Sequence, residues 1–169
     1  RSTLFPYTTL FRSARFACNT AHLLQPDIEQ QLSVRITSMV DAAIDYVSRH
    51  HKTIRLLASP TTIRTGLYDK PLKTVGVTVL TPDDNERQAL ETIIRAVIAG
   101  RIVPQSALEK VERIAKFDRV EIDNYVENHL NNPPILLGCT ELSCAFAKKP
   151  NTIDPMNILI NHLATRGVL

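Results

Sequence analysis

Twice in this chain a predicted strand ends in a cysteine, a threonine follows within two residues, and a helix begins. The first junction contains Cys18 and Thr20, and the second contains Cys139 and Thr140. Such a repeated unit is typical of two similar α/β halves. Strands and helices also alternate along the rest of the sequence, and the short apolar strands favour a parallel sheet that is covered on both faces. We therefore predict an α/β fold.

Hydrophobic periodicity predicts the positions of the other elements. Residues 33–49 carry an apolar stripe with helical spacing, whereas residues 53–58 are typical of a buried strand. Further strands are predicted over 75–80, 134–137 and 152–154, and further helices over 82–98, 104–130, 141–148 and from 155 onward.

Residues 1–13 are predicted to be foreign to the natural protein. Their sequence, RSTLFPYTTLFRS, matches the translation of a common short-read sequencing adapter at every position. A signal peptide is the alternative, but Pro6 lies at the centre of the segment and no small-residue cleavage site follows an apolar core. We therefore expect a non-native, adapter-derived segment joined inside a gene, with residues 14–169 as a fragment of the parent protein.

Without this segment the chain is nearly neutral. The full sequence has 20 Lys and Arg against 17 Asp and Glu, and removal of Arg1 and Arg12 leaves a net charge of +1. It also contains no Trp, so neither a basic patch nor a stacking surface for nucleic acid is expected. No apolar run could span a bilayer, and the widely spaced cysteines indicate a reducing cytosol. We predict a cytoplasmic protein with no membrane and no nucleic-acid partner.

Cysteines at two strand-to-helix junctions suggest acid–base chemistry. Ligands of open α/β sheets bind at the carboxyl ends of strands, where helix N-termini present N–H groups to anions. We expect the same field to lower the pKa of a thiol and so to supply a thiolate base. Inversion of an α-carbon needs a base on one face and an acid on the other, and two thiols supply both without a metal or an organic cofactor. Two buried structural cysteines are the alternative.

Two motifs resemble the signature motifs of the aspartate/glutamate racemase family: CNTAH over residues 18–22 and GCTE over residues 138–141. Between them, residues 66–72 are similar to the family's Gly-Leu-Tyr-x-x-x-Leu segment. Residues 153–156, IDPM, are similar to its closing segment. The resemblance covers essentially all of residues 14–169.

The resemblance implies an isomerase of two pseudo-symmetric parallel-sheet α/β domains with the active site between them. The first domain is expected to be incomplete: 14–50 and 150–169 are its remnant, and 51–149 form the second domain. The catalytic pair maps onto Cys18 and Cys139, and His22 and Glu141 map onto supporting positions. The predicted substrate-binding residues are Asn19, Thr20, Ala21, Thr61, Thr62 and Thr140. No cofactor, no metal and a homodimeric parent protein are also implied.

Aspartate is the leading substrate on this resemblance, followed by glutamate or a broader set of amino acids. Aspartate-preferring members often carry a lysine near the end of the helix before Gly100, and this chain has Ile98 there. A side-chain carboxylate would then need another cation, such as Arg64 or Arg101. We expect the parent protein to be the racemase and the truncated chain of residues 14–169 to show little or no activity. The rival interpretations are a related isomerase or decarboxylase acting on another small acid, and a non-functional fragment whose thiols merely bind metal or oxidise.

Overall fold

The computed structural model describes residues 13–115 and 132–165. The strands in these residues are β1 (Ser13–Ala14), β2 (Arg35–Ile36), β3 (Thr53–Ala58), β4 (Thr78–Leu80), β5 (Ile135–Gly138) and β6 (Thr152–Ile153). The helices are α1 (Gln25–Leu32), α2 (Met39–His50), α3 (Pro60–Thr65), α4 (Asp69–Thr74), α5 (Asp84–Ile98), α6 (Gln105–Ala115), α7 (Thr140–Phe146) and α8 (Pro155–Thr165), with a short 3-10 helix over Thr20–Leu24.

All strand pairs in the described residues are parallel. Strands β1 and β2 form a two-stranded sheet, and the other four form a sheet in the order β4-β3-β5-β6. The predicted α/β class with a parallel sheet is therefore confirmed. Strand β6 pairs with β5, and α8 packs against α2. The division into two domains stays a prediction.

Helices cover both faces of the four-stranded sheet. Successive side chains of a strand point to opposite faces. Accordingly, Leu57 of β3 packs with residues of α5, α6 and α7, whereas Leu56 and Ala58 pack with residues of α2 and α4. Burial of one leucine side chain stabilises a fold by roughly 1.5–3 kcal/mol. The two central strands, β3 and β5, are therefore held firmly from both sides.

The predicted helix over 33–49 is wrong in its first turns. Ser33 ends α1 in the left-handed conformation with φ of 51°, and residues 35–36 form β2. Helix α2 begins only after Ser38, whose hydroxyl oxygen accepts a hydrogen bond from the backbone N–H of Asp41 at 3.0 Å. Capping therefore determines where this helix starts, although the apolar stripe begins earlier.

The remaining predicted elements differ from the observed ones mainly at their ends, and helices α1 and α4 have no predicted counterpart. The strand predicted over 75–80 is shorter, because Gly76 has φ of 82° and β4 starts at Thr78. Helix α6 confirms the first part of the helix predicted over 104–130, and residues 116–131 lie outside the described residues. No helix in the described ranges is both long and apolar enough to cross a membrane.

Candidate active site

The two central strands bring their carboxyl ends together. In the parallel register of β3 and β5, Ala58 pairs with Gly138. The next residues in the chain, Ser59 and Cys139, therefore leave the sheet side by side. Each is the N-cap of the helix that follows, α3 and α7 respectively. The carboxyl edge of a parallel sheet is where open α/β folds bind ligands, so this edge is the candidate site.

Cys139 is buried and its thiol is hydrogen-bonded to a carboxylate. Its Sγ donates to Oε2 of Glu141 at 2.8 Å, and the hydroxyl of Thr140 donates to the same oxygen at 3.2 Å. Burial raises the pKa of the Cys139 thiol to about 12, and the hydrogen bond and charge of Glu141 act in the same direction. Cys139 is therefore a protonated thiol at neutral pH.

The expectation that the helix field lowers this pKa is wrong for Cys139. The backbone N–H groups of Glu141 and Leu142, at the start of α7, do favour the thiolate. Their effect is smaller than the combined effect of burial and the neighbouring carboxylate, so the pKa of the thiol is raised. Neither of these contributions is visible from the strand-to-helix spacing.

Cys18 is exposed, and the turn that contains it is held in place by the buried His22. The Cys18 Sγ is 3.3 Å from the hydroxyl of Thr20. His22 Nδ1 lies 2.9 Å from the carbonyl oxygen of Cys18 and 3.2 Å from that of Asn19. Because a carbonyl can only accept, Nδ1 carries the proton and donates to both. The buried Nε2 of His22 has no hydrogen-bond partner among the described residues.

The polar turn after β3 is closed by hydrogen bonds within itself. The Ser59 hydroxyl accepts from the N–H of Thr62 at 3.2 Å and lies 3.0 Å from the Thr62 hydroxyl. Thr62 is fully buried, whereas Thr61 is half-buried. Thr62 therefore shapes the turn from within, and Thr61 presents the more accessible hydroxyl. Ser59 was predicted only as a turn and N-cap residue, although it stands beside Cys139.

Tyr68 connects the two cysteine-bearing turns. This side chain is completely buried, and its hydroxyl donates a hydrogen bond to Oδ1 of Asn19, 49 residues away in sequence. The ring lies against Gly138, because a Cβ built there would be 3.2 Å from Cε2 of Tyr68. Tyr68 is not among the predicted site residues. Its only signal is the Gly-Leu-Tyr segment at 66–68, which carries no chemical motif.

The segment that follows β6 supports α7. The carboxylate of Asp154 accepts from the Ser143 hydroxyl at 3.1 Å and from the N–H of Met156 at 3.0 Å. These bonds fix the start of α8 against the helix that begins after Cys139. The predicted site residues thus form two groups: Thr61, Thr62, Cys139, Thr140 and Glu141 at the central strands, and Cys18, Asn19, Thr20, Ala21 and His22 in the other turn.

Within residues 13–115 and 132–165, no three His, Cys, Asp or Glu side chains lie close enough together to hold a metal ion. The Cys139 thiol is instead committed to the Glu141 carboxylate, and the Cys18 thiol lies beside a hydroxyl. These contacts suit proton transfer.

Replacement of Gly138 by alanine should destabilise the fold by about 1–3 kcal/mol. The new Cβ would lie 2.9 Å from the Cβ of Ala58 and 3.0 Å from Cδ1 of Leu56, and strand β3 has no room to move. Urea unfolding of Gly138→Ala measures the loss. An unfolding midpoint equal to that of the unmodified chain would show that the strand end is not tightly packed.

The chain is similar to known racemases in both sequence and structure. A sequence model of the family described as Asp/Glu/Hydantoin racemase matches residues 13–163. The broad specificity amino-acid racemase RacX of Bacillus subtilis (strain 168) is 34% identical over 80 residues. These residues are 47% of this chain, and they span only 35% of the length of that curated relative.

Solved structures with the same fold include racemases and a racemase homologue. An aspartate racemase homologue from Pyrococcus horikoshii OT3 superposes with a TM-score of 0.67 at 24% identity, over 94% of this chain and 67% of that one. Glutamate racemase from Campylobacter jejuni subsp. jejuni superposes with a TM-score of 0.60 at 17% identity, over 95% of this chain and 63% of that one. At these identities the likeness shows the fold.

Proposed function

Because the chain belongs to the Asp/Glu/hydantoin racemase family, we propose that the whole protein containing residues 14–169 is an amino-acid racemase that needs no cofactor. Two cysteines, Cys18 and Cys139, would act as the acid and the base. The observation that carries the proposal is the thiol of Cys139. It is buried, protonated and hydrogen-bonded to Glu141, at the sheet edge where ligands bind.

Proton transfer in one direction begins at the exposed cysteine. The thiolate of Cys18 removes the α-proton of one enantiomer and becomes a thiol. The Cys139 thiol gives its proton to the opposite face of the α-carbon and becomes a thiolate. Loss and gain of one proton each balance the reaction, and the opposite enantiomer uses the same groups in reverse order.

Glu141 supports this exchange from behind the thiol. Its carboxylate oxygen accepts the Sγ–H of Cys139 before substrate binds, and this S–H bond turns from Glu141 toward the α-carbon for the transfer. After transfer the thiolate would face the carboxylate across 2.8 Å in a buried site, and like charges at that distance favour rapid reprotonation. Cys139 regains its proton from the α-carbon of the opposite enantiomer or from solvent water, and the charge of Glu141 only raises the affinity of the thiolate for that proton.

The substrate carboxylate would be held by the short polar residues of the two turns. Asn19, Thr20 and Ala21 follow Cys18, and Thr140 follows Cys139 at the N-terminus of α7. Backbone N–H groups at such positions suit a carboxylate. Thr61 would present its hydroxyl from the neighbouring turn. A site that binds one carboxylate in this way would accept the α-carboxylate of a small amino acid.

Aspartate is the leading substrate, followed by glutamate or a broader set of amino acids. A side-chain carboxylate needs a cation, and the side chain of Ile98 at the end of α5 is exposed and apolar. Arg64, in the last turn of α3, and Arg101, after α5, are the candidate cations, and both are exposed. The proposal extends to a cytoplasmic homodimer, as the family resemblance implies.

Chirality measurements test the proposed activity. The whole protein would be incubated with L-aspartate, L-glutamate, L-alanine and L-lysine without pyridoxal phosphate, and each mixture resolved by chiral chromatography. We expect D-enantiomer to accumulate, fastest from aspartate. Activity that requires pyridoxal phosphate, or no D-enantiomer from any of these amino acids, would contradict the proposal. Turnover of another small acid alone would favour a related isomerase or decarboxylase.

Replacement of Glu141 by glutamine should lower the pKa of Cys139. The amide still accepts from Sγ, but its lack of charge removes one cause of the raised pKa, while burial keeps the pKa above its ordinary value of 9.0. We expect a drop of about one pH unit. The measurement is the pH dependence of Cys139 alkylation by iodoacetamide in a background of Cys18→Ser and Cys144→Ser.

The matched control for this experiment is Glu91→Gln. Glu91 is a surface residue of α5 that pairs with Arg95 at 2.6 Å, so its loss should leave the alkylation profile of Cys139 unchanged. An unchanged profile for Glu141→Gln as well would show that the charge of Glu141 has no influence on this thiol.

A further inference from the structure

We propose that Tyr68 is a positioning residue that fixes the side-chain amide of Asn19 with its NH2 group directed to the substrate carboxylate. The inference deepens the proposed function and rests on it. It adds a residue that lies in neither cysteine motif but contacts one residue of each, Asn19 in the first and Gly138 in the second.

The hydrogen bond determines which way the amide faces. The Tyr68 hydroxyl donates to Oδ1 of Asn19, so that oxygen is occupied. Rotation of the amide by half a turn would let Nδ2–H donate to the hydroxyl oxygen, but it would leave the buried hydroxyl proton of Tyr68 without an acceptor among the described residues. In the observed orientation Nδ2 keeps two N–H groups, for which no described residue is the acceptor. A carboxylate is a suitable acceptor for both.

The backbone of Asn19 is fixed independently. Its carbonyl oxygen accepts from the N–H of His22 at 3.1 Å and from Nδ1 of His22 at 3.2 Å. Asn19 is buried, so its side chain has little freedom once Oδ1 is bonded as well. His22 therefore holds the turn, and Tyr68 holds the amide. Both restraints are present before any substrate binds, and binding then costs less ordering of the protein.

The surroundings of Tyr68 explain why a hydroxyl is needed there. The ring belongs to an apolar cluster that includes Ala58, Leu72 and Leu136. A hydroxyl buried in such a cluster is unfavourable unless it is hydrogen-bonded, and phenylalanine would pack equally well. Burial raises the pKa of Tyr68, and the charges of Asp154 and Asp41 raise it further. The hydroxyl therefore stays protonated and remains a donor.

The ring of Tyr68 also relates this amide to the other cysteine. It lies against Gly138, the residue before Cys139, while the hydroxyl reaches the residue after Cys18. A shift of the ring would thus move the amide relative to the carboxyl end of β5. One rigid side chain therefore sets the position of the carboxylate-binding amide relative to the Cys139 turn.

A double-mutant cycle in the whole protein tests the inference. Tyr68→Phe removes only the hydroxyl, and we expect KM for aspartate to rise about tenfold, the effect of one lost hydrogen bond, with kcat changed less than about threefold. Asn19→Ala should raise KM at least as much. In the Asn19→Ala background, Tyr68→Phe should have no further effect, because Tyr68 acts through the amide. Equal and additive effects in both backgrounds would overturn the inference.

Asn19→Asp and Tyr46→Phe complete the design. Asn19→Asp keeps an acceptor for Tyr68 but replaces the NH2 group by a carboxylate oxygen, which cannot donate to the substrate carboxylate and repels it, so it should raise KM even if Tyr68→Phe folds poorly. Tyr46 is a half-exposed residue of α2 whose ring stacks on His50. Tyr46→Phe should therefore leave KM unchanged. A KM for Asn19→Asp equal to that of the unmodified protein would also contradict the inference.

A spectroscopic measurement separates this inference from the proposed function. In the ¹⁵N-labelled 169-residue chain, the side-chain NH2 signals of Asn19 are identified by their loss in Asn19→Ala. We expect Tyr68→Phe to shift these signals, and Tyr46→Phe to leave them in place. If no amino acid is racemised but the shift is seen, the proposed function fails and the amide restraint stands. If racemisation is normal and the signals do not move in Tyr68→Phe, the inference fails alone.

Discussion

Serine in place of Cys139 should lower the racemisation rate of the whole protein by at least about a thousandfold. A hydroxyl of similar size keeps the hydrogen bond to Glu141 but is a far poorer acid, and a positioned acid or base contributes about 10²–10⁴ in rate. Cys18→Ser should be equally damaging, because each enantiomer needs one thiol as base and the other as acid. Chiral chromatography of timed samples measures both rates.

Cys144 provides the matched control for these substitutions. It lies on α7, is exposed, and is placed in no step of the proposed reaction. Cys144→Ser should therefore leave the rate within about twofold of the unmodified protein. A similar modest loss in all three variants would show that the thiols act only through folding. Full activity of Cys18→Ser or Cys139→Ser would rule out the two-thiol mechanism.

Cys139 should react with iodoacetamide at least about tenfold more slowly at pH 8 than an ordinary exposed thiol. The thiolate is the reacting species, and a pKa raised from 9.0 to about 12 lowers its fraction about a thousandfold at this pH, which the higher nucleophilicity of a more basic thiolate offsets only in part. Burial of the side chain should slow the reaction further. Cys18 and Cys144 are exposed and should be modified first. Mass spectrometry of peptides from timed samples gives the three rates.

The control is the same reaction in about 8 M urea, a concentration that unfolds most small proteins. Unfolding removes burial and the contact with Glu141, so the three cysteines should then react at similar rates. If Cys139 in the folded chain were alkylated as fast as Cys144, the thiol would be neither buried nor held by Glu141. Its assignment as the acid in the first direction would then be wrong.

The core of the fold could be predicted because local signals agreed with tertiary structure. β3 and β5 are short apolar runs that end in turn residues, and both were located within a residue of their observed ends. Helix α5 starts at Asp84, two residues after the predicted start at Pro82, because Asp83 is the N-cap and forms a capping box with Glu86. The start of α2 was missed because the apolar stripe continues through β2, where only pairing with β1 makes the backbone extended.

The contacts of the candidate site could be predicted only where the residues involved are close together in sequence. Cys139, Thr140 and Glu141 are adjacent in sequence, so their contacts follow from one motif. The raised pKa of Cys139 depends on burial by distant elements, which no local pattern reveals. Tyr68 reaches Asn19 across 49 residues, and that contact exists only once the chain has folded.

Deuterium incorporation during racemisation tests the two-thiol mechanism most directly. The whole protein would be incubated with L-aspartate in D₂O, and both enantiomers would be separated at low conversion and analysed by mass spectrometry. Two thiols on opposite faces predict D-aspartate that carries deuterium at the α-carbon, with the remaining L-aspartate almost unlabelled. Equal labelling of both enantiomers from the start, or D-aspartate without deuterium, would contradict a mechanism in which Cys18 and Cys139 exchange protons with opposite faces of the α-carbon.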